Sequence, residues 1–140
     1  MTGRIVALMC VCAGLLDAGC RSSTDSAQGI AERFIDEHYV RMNLRAAREY
    51  TVGLAQRKVD EETRLVGDHV IDASTRQPRV TYRLKEQPRE DANGVSFLFE
   101  GTVSVDGADA FTRQWLVTTR READGTWKVS NFSEFEEPQT

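Results

Sequence analysis

His38 is the first residue of this chain whose type and position invite a chemical reading. From Ser26 onward Ala27, Ile30, Ala31, Phe34, Ile35 and Met42 recur at helical spacing, and His38 falls on the same face. A neutral imidazole in an apolar stripe can accept a proton, hydrogen-bond a ligand, or sit satisfied at a core or its rim. Further on, Phe111, Arg113, Trp115 and Val117 alternate with Thr112, Gln114, Leu116 and Thr118, which sets a cation among apolar neighbours. A guanidinium buried there needs an acidic partner or an anionic ligand, unless its stem snorkels it to the rim. Trp115 on that face is either core or a pocket wall. Tyr82 alternates with Thr81 and Arg83 on an earlier strand and completes the set of pocket candidates.

These residues favour binding over catalysis. His38 acting as a base needs an acid to orient it, and the sequence identifies none. The acids of the strand half cluster at turns (Asp106, Asp109, Asp124) or in the tail (Glu134, Glu136, Glu137). A carboxylate within hydrogen-bond reach of His38 and facing an open cavity would reverse the preference towards an enzyme. The run Arg57 to Glu62 reads as a solvated helix face with an i,i+4 pair, Lys58 and Glu62. Two histidines, His38 and His69, and no thiol beyond Cys20 after the leader make no zinc pattern. No Gly-rich phosphate loop or G-x-S-x-G elbow is present, so no cofactor is expected. The net charge of −4 argues against nucleic acid, whose binders carry a basic surface.

The leader supplies an address. Arg4 precedes an apolar run from Ile5 to Leu16, roughly a dozen residues and short of the ~20 that cross a bilayer as a helix. A positive start, a short apolar region and small residues before a cut mark a secretory signal peptide. Cys10 and Cys12 lie inside it and would be discarded. Ala18-Gly19-Cys20 resembles the bacterial lipobox, with Asp17 standing where that motif has Leu and Leu16 one place early. The resemblance implies cleavage before Cys20 and acylation of its thiol. An ordinary secreted protein cut near Ala18 and an uncleaved anchor are the alternatives. Ser22 to Ser26 reads as a polar tether, and Arg21 after the Cys mildly favours the outer membrane. The chain thus divides into a signal peptide (1–19), a lipidated Cys and tether (20–25), one domain (26–136) and a tail (137–140).

The domain's elements follow from its periods. Thr24, Asp25 or Ser26 can cap the first helix, and Asn43 is its expected stop. Leu44 to Tyr50 and Leu54 to Leu65 read as two further helices, while Val66 to Arg76 is ambiguous. After Pro78 the period becomes two: strands around Val80 to Leu84, Val95 to Val105, Phe111 to Val117 and Trp127 to Phe132. Turn signals separate them at Asp91 to Gly94, Asp106 to Asp109 and Asp124-Gly125. Gly101 inside the second strand suggests a bulge or bend. Helices followed by hairpin-linked strands give α+β, with the N-terminal helices on a strongly curved antiparallel sheet. Trp127 and Phe132 are expected in the core, where truncation of either would cost ~3–5 kcal/mol.

The closing segment Asp124-Gly125-Thr126-Trp127-Lys128-Val129-Ser130-Asn131-Phe132 resembles the ending of bacterial NTF2-like (cystatin-like) proteins. Phe34 to Tyr39 followed by Leu44-Arg45-Ala46-Ala47 is similar to their first helix and its turn. The resemblance implies a pocket between the first helix and the concave sheet, where His38, Arg113 and Trp115 would converge. It is silent on function, because this fold carries isomerases, dehydratases, transport factors and assembly domains alike. It also implies a homodimer through the open sheet. The leading expectation is a non-catalytic envelope lipoprotein, bound to a membrane, that takes a partner protein or a small apolar ligand. An isomerase or dehydratase-type enzyme and a structural subunit of an envelope complex are the alternatives.

Overall fold

The first helix starts at Ser26, whose hydroxyl accepts from the Gly29 N–H at 3.0 Å and so satisfies one free first-turn donor. The computed structural model describes residues 24–67 and 77–136; the leader with Cys20, His69 and the tail 137–140 lie outside them. Helix α1 (Ala27–Ile35) buries Ala31, Phe34 and Ile35 completely. Its hydrogen bonding then widens into a π turn at Asp36–Val40, where the Arg41 N–H donates to the Asp36 carbonyl at 2.8 Å. The extra residue per turn rotates the chain, and Tyr39 joins His38 against the sheet.

Met42 ends this segment at φ 55°, a left-handed conformation uncommon for any side chain but glycine. Asn43, expected as a stop, instead caps helix α2 (Leu44–Arg48) by accepting from the Ala46 N–H at 3.1 Å. Helix α3 (Gly53–Val66) buries Ala55 and Val59. Just before it, the Val52 N–H donates to the Val129 carbonyl at 2.9 Å, and the Val129 N–H donates to the Tyr50 carbonyl at 2.8 Å. These two bonds fix the start of α3 on the sheet.

Five strands form the antiparallel sheet: β1 (Arg79–Leu84), β2 (Arg89–Asp91), β3 (Gly94–Ser104), β4 (Phe111–Arg121) and β5 (Trp127–Glu136). Their order is β1-β3-β4-β5, with β2 paired to the start of β3. Phe97, Phe99, Trp115, Val117, Val129 and Phe132 meet the buried helix residues in one apolar core. This is the expected α+β arrangement, helices on one face of an antiparallel sheet. No helix among the described residues is long and apolar enough to cross a membrane.

Two local expectations need correction. Gly101 makes no bulge: it pairs in register with both Tyr82 and Arg113. A Cβ there would overlap the Trp115 ring, so the glycine makes room for the indole. The register shift lies instead at Thr118/Thr119 against β5, where Thr118 faces Asn131 and Thr119 faces Val129. It reverses the in-out alternation along β5, so Val129 and Phe132 both point inward. Trp127, expected in the core, is only half-buried near the sheet's end, whereas Phe132 is 6% exposed.

On the outer face Glu100 lies between Arg83 (2.9 Å) and Lys85 (3.2 Å), and hydrogen bonds from Arg83 and then Lys85 hold its carboxyl below the usual range. It is therefore unavailable to Arg113.

Candidate functional site

Between the π turn, the end of α3 and the inner face of the sheet lies a cavity of about 400 Å³. Its walls are mostly apolar, with Tyr39, Met42 and Leu44 from the helical side and Val80, Phe111 and Trp115 from the strands. Four polar side chains interrupt them: His38, Glu62, Arg113 and Glu134. His38, Arg113 and Trp115 thus line one cavity. Tyr82, the fourth candidate, does not. Its hydroxyl donates to Asp36 Oδ1 at 2.8 Å, where α1 passes into the π turn. There it straps strand to helix, and burial, followed by that hydrogen bond and the Asp36 charge, raises its pKa.

His38 has the carboxylate partner that the sequence did not reveal. Its Nε2 lies 2.5 Å from Glu62 Oε2, and Glu62 itself lines the cavity. The ring is packed by Phe34, Tyr39 and Phe132, with centroids at 5.1, 4.3 and 5.1 Å. Nδ1 is buried and has no hydrogen-bond partner. A proton there would be an unsatisfied buried donor, so the hydrogen-bond pattern assigns the proton to Nε2, facing Glu62. Lys58, expected to pair with Glu62 on a solvated face, turns to β5 instead. It donates to Asn131 Oδ1 at 2.9 Å and to the Phe132 carbonyl at 2.6 Å.

Arg113 also finds its acids within the chain. Register sets Arg113 opposite Glu136 and Trp115 opposite Glu134. Arg113 Nη1 donates to Glu136 Oε1 at 2.7 Å, and its Nε lies 3.6 Å from Glu134 Oε1. The guanidinium also stands 5.1 Å from the Phe111 centroid. Trp115, 1% exposed, donates through Nε1 to Glu134 Oε2 at 3.3 Å and stacks on Tyr39 at 4.6 Å and 24°. Burial raises the Tyr39 hydroxyl pKa, and the charges of Glu134 and then Glu62 raise it further. The hydroxyl stays protonated.

Glu62, Glu134 and Tyr39 are the site residues that pattern reading missed. Glu62 had a signal, because Ala55, Val59, Glu62 and Val66 fall at i, i+4, i+7 and i+11 on one face of α3. An acid in that stripe is as conspicuous as a histidine in the first. Glu134 and Tyr39 had none, since each owes its direction to an irregularity: the shift in β5 and the π turn.

No family model matches the sequence, and no curated protein matches it either. Among solved structures the chain is similar to the VirB8 protein of Agrobacterium tumefaciens. The TM-score is 0.53 at 10% identity, over 87% of this chain and 99% of that one. The likeness establishes an NTF2-like fold and carries no residue's role across.

Proposed function

We propose that this NTF2-like domain is a binding module of the bacterial cell envelope, held to a membrane through Cys20, whose cavity takes a small apolar ligand. The lining of the cavity carries the reading: aromatic and aliphatic walls with a few fixed polar groups are the make-up of small-molecule sites. The envelope address rests on the lipobox-like Ala18-Gly19-Cys20 behind its apolar run. A partner protein inserting an apolar side chain is the other occupant of the same cavity.

Native mass spectrometry on protein purified from the membranes of an expressing bacterium tests both halves. The expected species starts at Cys20, carries acyl mass and holds a non-covalent adduct. Cys20→Ser should lose the acyl increment and appear in the soluble fraction. Wild-type protein that is already soluble, or cut after Arg21, would disprove the anchor. Asp17→Leu should speed processing if the departure from the lipobox limits it.

The pairing of His38 with Glu62 favours a second reading, an isomerase or dehydratase-type enzyme. On distance alone it meets the condition that turns the preference towards catalysis. The ring, however, offers a substrate no accessible nitrogen, because Nε2 is taken by Glu62 and Nδ1 is buried. In that reading Glu62, with its side chain 38% exposed, is the base and His38 orients it. Turnover that disappears in Glu62→Gln, with the melting temperature unchanged, would put the enzyme first.

A further inference from the structure

We propose that the cavity selects an amphipathic organic cation, an apolar body carrying one protonated amine. This rests on the reading of the cavity as a ligand site and names the class of ligand.

An anionic ligand would need a free cation. Arg113 is the only Lys or Arg on the lining described, and it is already shared between Glu136 at 2.7 Å and Glu134 at 3.6 Å. An incoming carboxylate or phosphate would have to displace one of them. The negative charge is less well matched. Glu62 and Glu134 both line the cavity, and among the described residues no Lys or Arg pairs with Glu62. Its i,i+4 neighbour Lys58 is committed to β5. His38 gives Glu62 one hydrogen bond through Nε2, and the ring's Nδ1 has no hydrogen-bond partner.

A neutral apolar ligand would strip water from Glu62 and leave it only the hydrogen bond from His38, and a carboxylate is costly to desolvate without a full set of partners. An ammonium group supplies Glu62 with the second, cationic partner that no Lys or Arg among the described residues provides. The aromatic wall adds to the attraction, because ring faces draw cations and the stacked Tyr39 and Trp115 line the cavity together with both acids. Both carboxylates act on the Tyr39 hydroxyl, whose oxygen is a further acceptor. The remaining walls, Met42, Leu44, Val80 and Phe111 among them, require the rest of the ligand to be apolar.

Three compounds with one rigid apolar body and different charge test the proposal: adamantylamine, adamantanol and adamantane carboxylate. They are titrated by calorimetry into the full chain carrying Cys20→Ser, at low and high salt. The amine should bind about tenfold more tightly than the alcohol, the worth of one charged hydrogen bond, and the carboxylate most weakly. Glu62→Gln keeps the shape and the acceptor for His38 but removes the charge, so it should erase the amine's advantage. The amine should weaken, and the alcohol, with no carboxylate left to desolvate, should bind at least as tightly as it does to the wild type. If that variant fails to fold, Glu134→Gln should show the same loss of preference. Alcohol or carboxylate binding as tightly as the amine would overturn the cation and leave the ligand site standing. Binding of none of the three would overturn the ligand site itself.

Discussion

Trp115→Ala should destabilise the domain by about 3–5 kcal/mol, the usual cost of truncating a buried Trp. Trp115 is 1% exposed, stacks on Tyr39, and covers Gly101 where no side chain can replace it. Small domains have about 5–15 kcal/mol in total, so the variant should sit near the edge of unfolding in urea titrations. Any ligand affinity it retains should fall as well, because the indole is a cavity wall. Trp127→Ala is the control. Half-buried near the sheet's end, Trp127 should cost less than half as much. A larger loss from Trp127 than from Trp115 would mean that the closing strand, and not the cavity wall, anchors the core.

The exchange of roles between the two tryptophans shows what a period can and cannot carry. Alternation places both on inward positions, and it does so correctly for each strand taken alone. It contains no information on where along the strand the helices lie. Trp115 sits under α1 and the π turn, while Trp127 lies near the sheet's end, and that difference is one of tertiary packing. Tyr82 fails as a pocket residue for the same reason. Its face was legible, but its hydroxyl was captured by Asp36 on the neighbouring helix.

The helices, the four longer strands and the fold class were legible because amphipathic periods run for many residues and average out local exceptions, whereas the three-residue β2 was too short to show a period. The site was legible where a residue broke a clean stripe, as His38 and Arg113 do. It was hidden where the backbone itself departs from regularity. A strict alternation starting at Val129 sends Asn131 and Ser133 inward and Glu134 out. The shift opposite Thr118/Thr119 reverses this, and Glu134 arrives beside Trp115 and Arg113. The π turn does the same for Tyr39. Such single-residue insertions are over-represented at functional sites, so the residues that chemistry depends on are those that a period misplaces. Two irregularities here converge on one cavity, which is itself an argument that the cavity is used.

Gly101→Ala should be damaging out of proportion to one methyl group, and Trp115→Phe should rescue it. The glycine lies in regular strand register, so its backbone alone would accept alanine. The obstacle is the six-membered ring of Trp115, whose Cη2 and Cζ3 occupy the place of the new Cβ. That ring cannot retreat easily, held by Tyr39 on one side and by the hydrogen bond to Glu134 at its Nε1. Overpacking of this kind typically costs about 1–3 kcal/mol. A phenyl ring stops short of the outer indole carbons, so Trp115→Phe opens the space that the added methyl group would need. The single changes should each destabilise, and the double variant should recover an interaction energy within the range of about 0.5–3 kcal/mol seen for residues in contact. Urea denaturation of the four proteins measures it. Penalties that simply add would mean that the alanine methyl finds room without touching the indole. Where the cycle does show coupling, Gly101→Ala alone should also weaken ligand binding, because an indole pushed off the glycine moves into the cavity it lines.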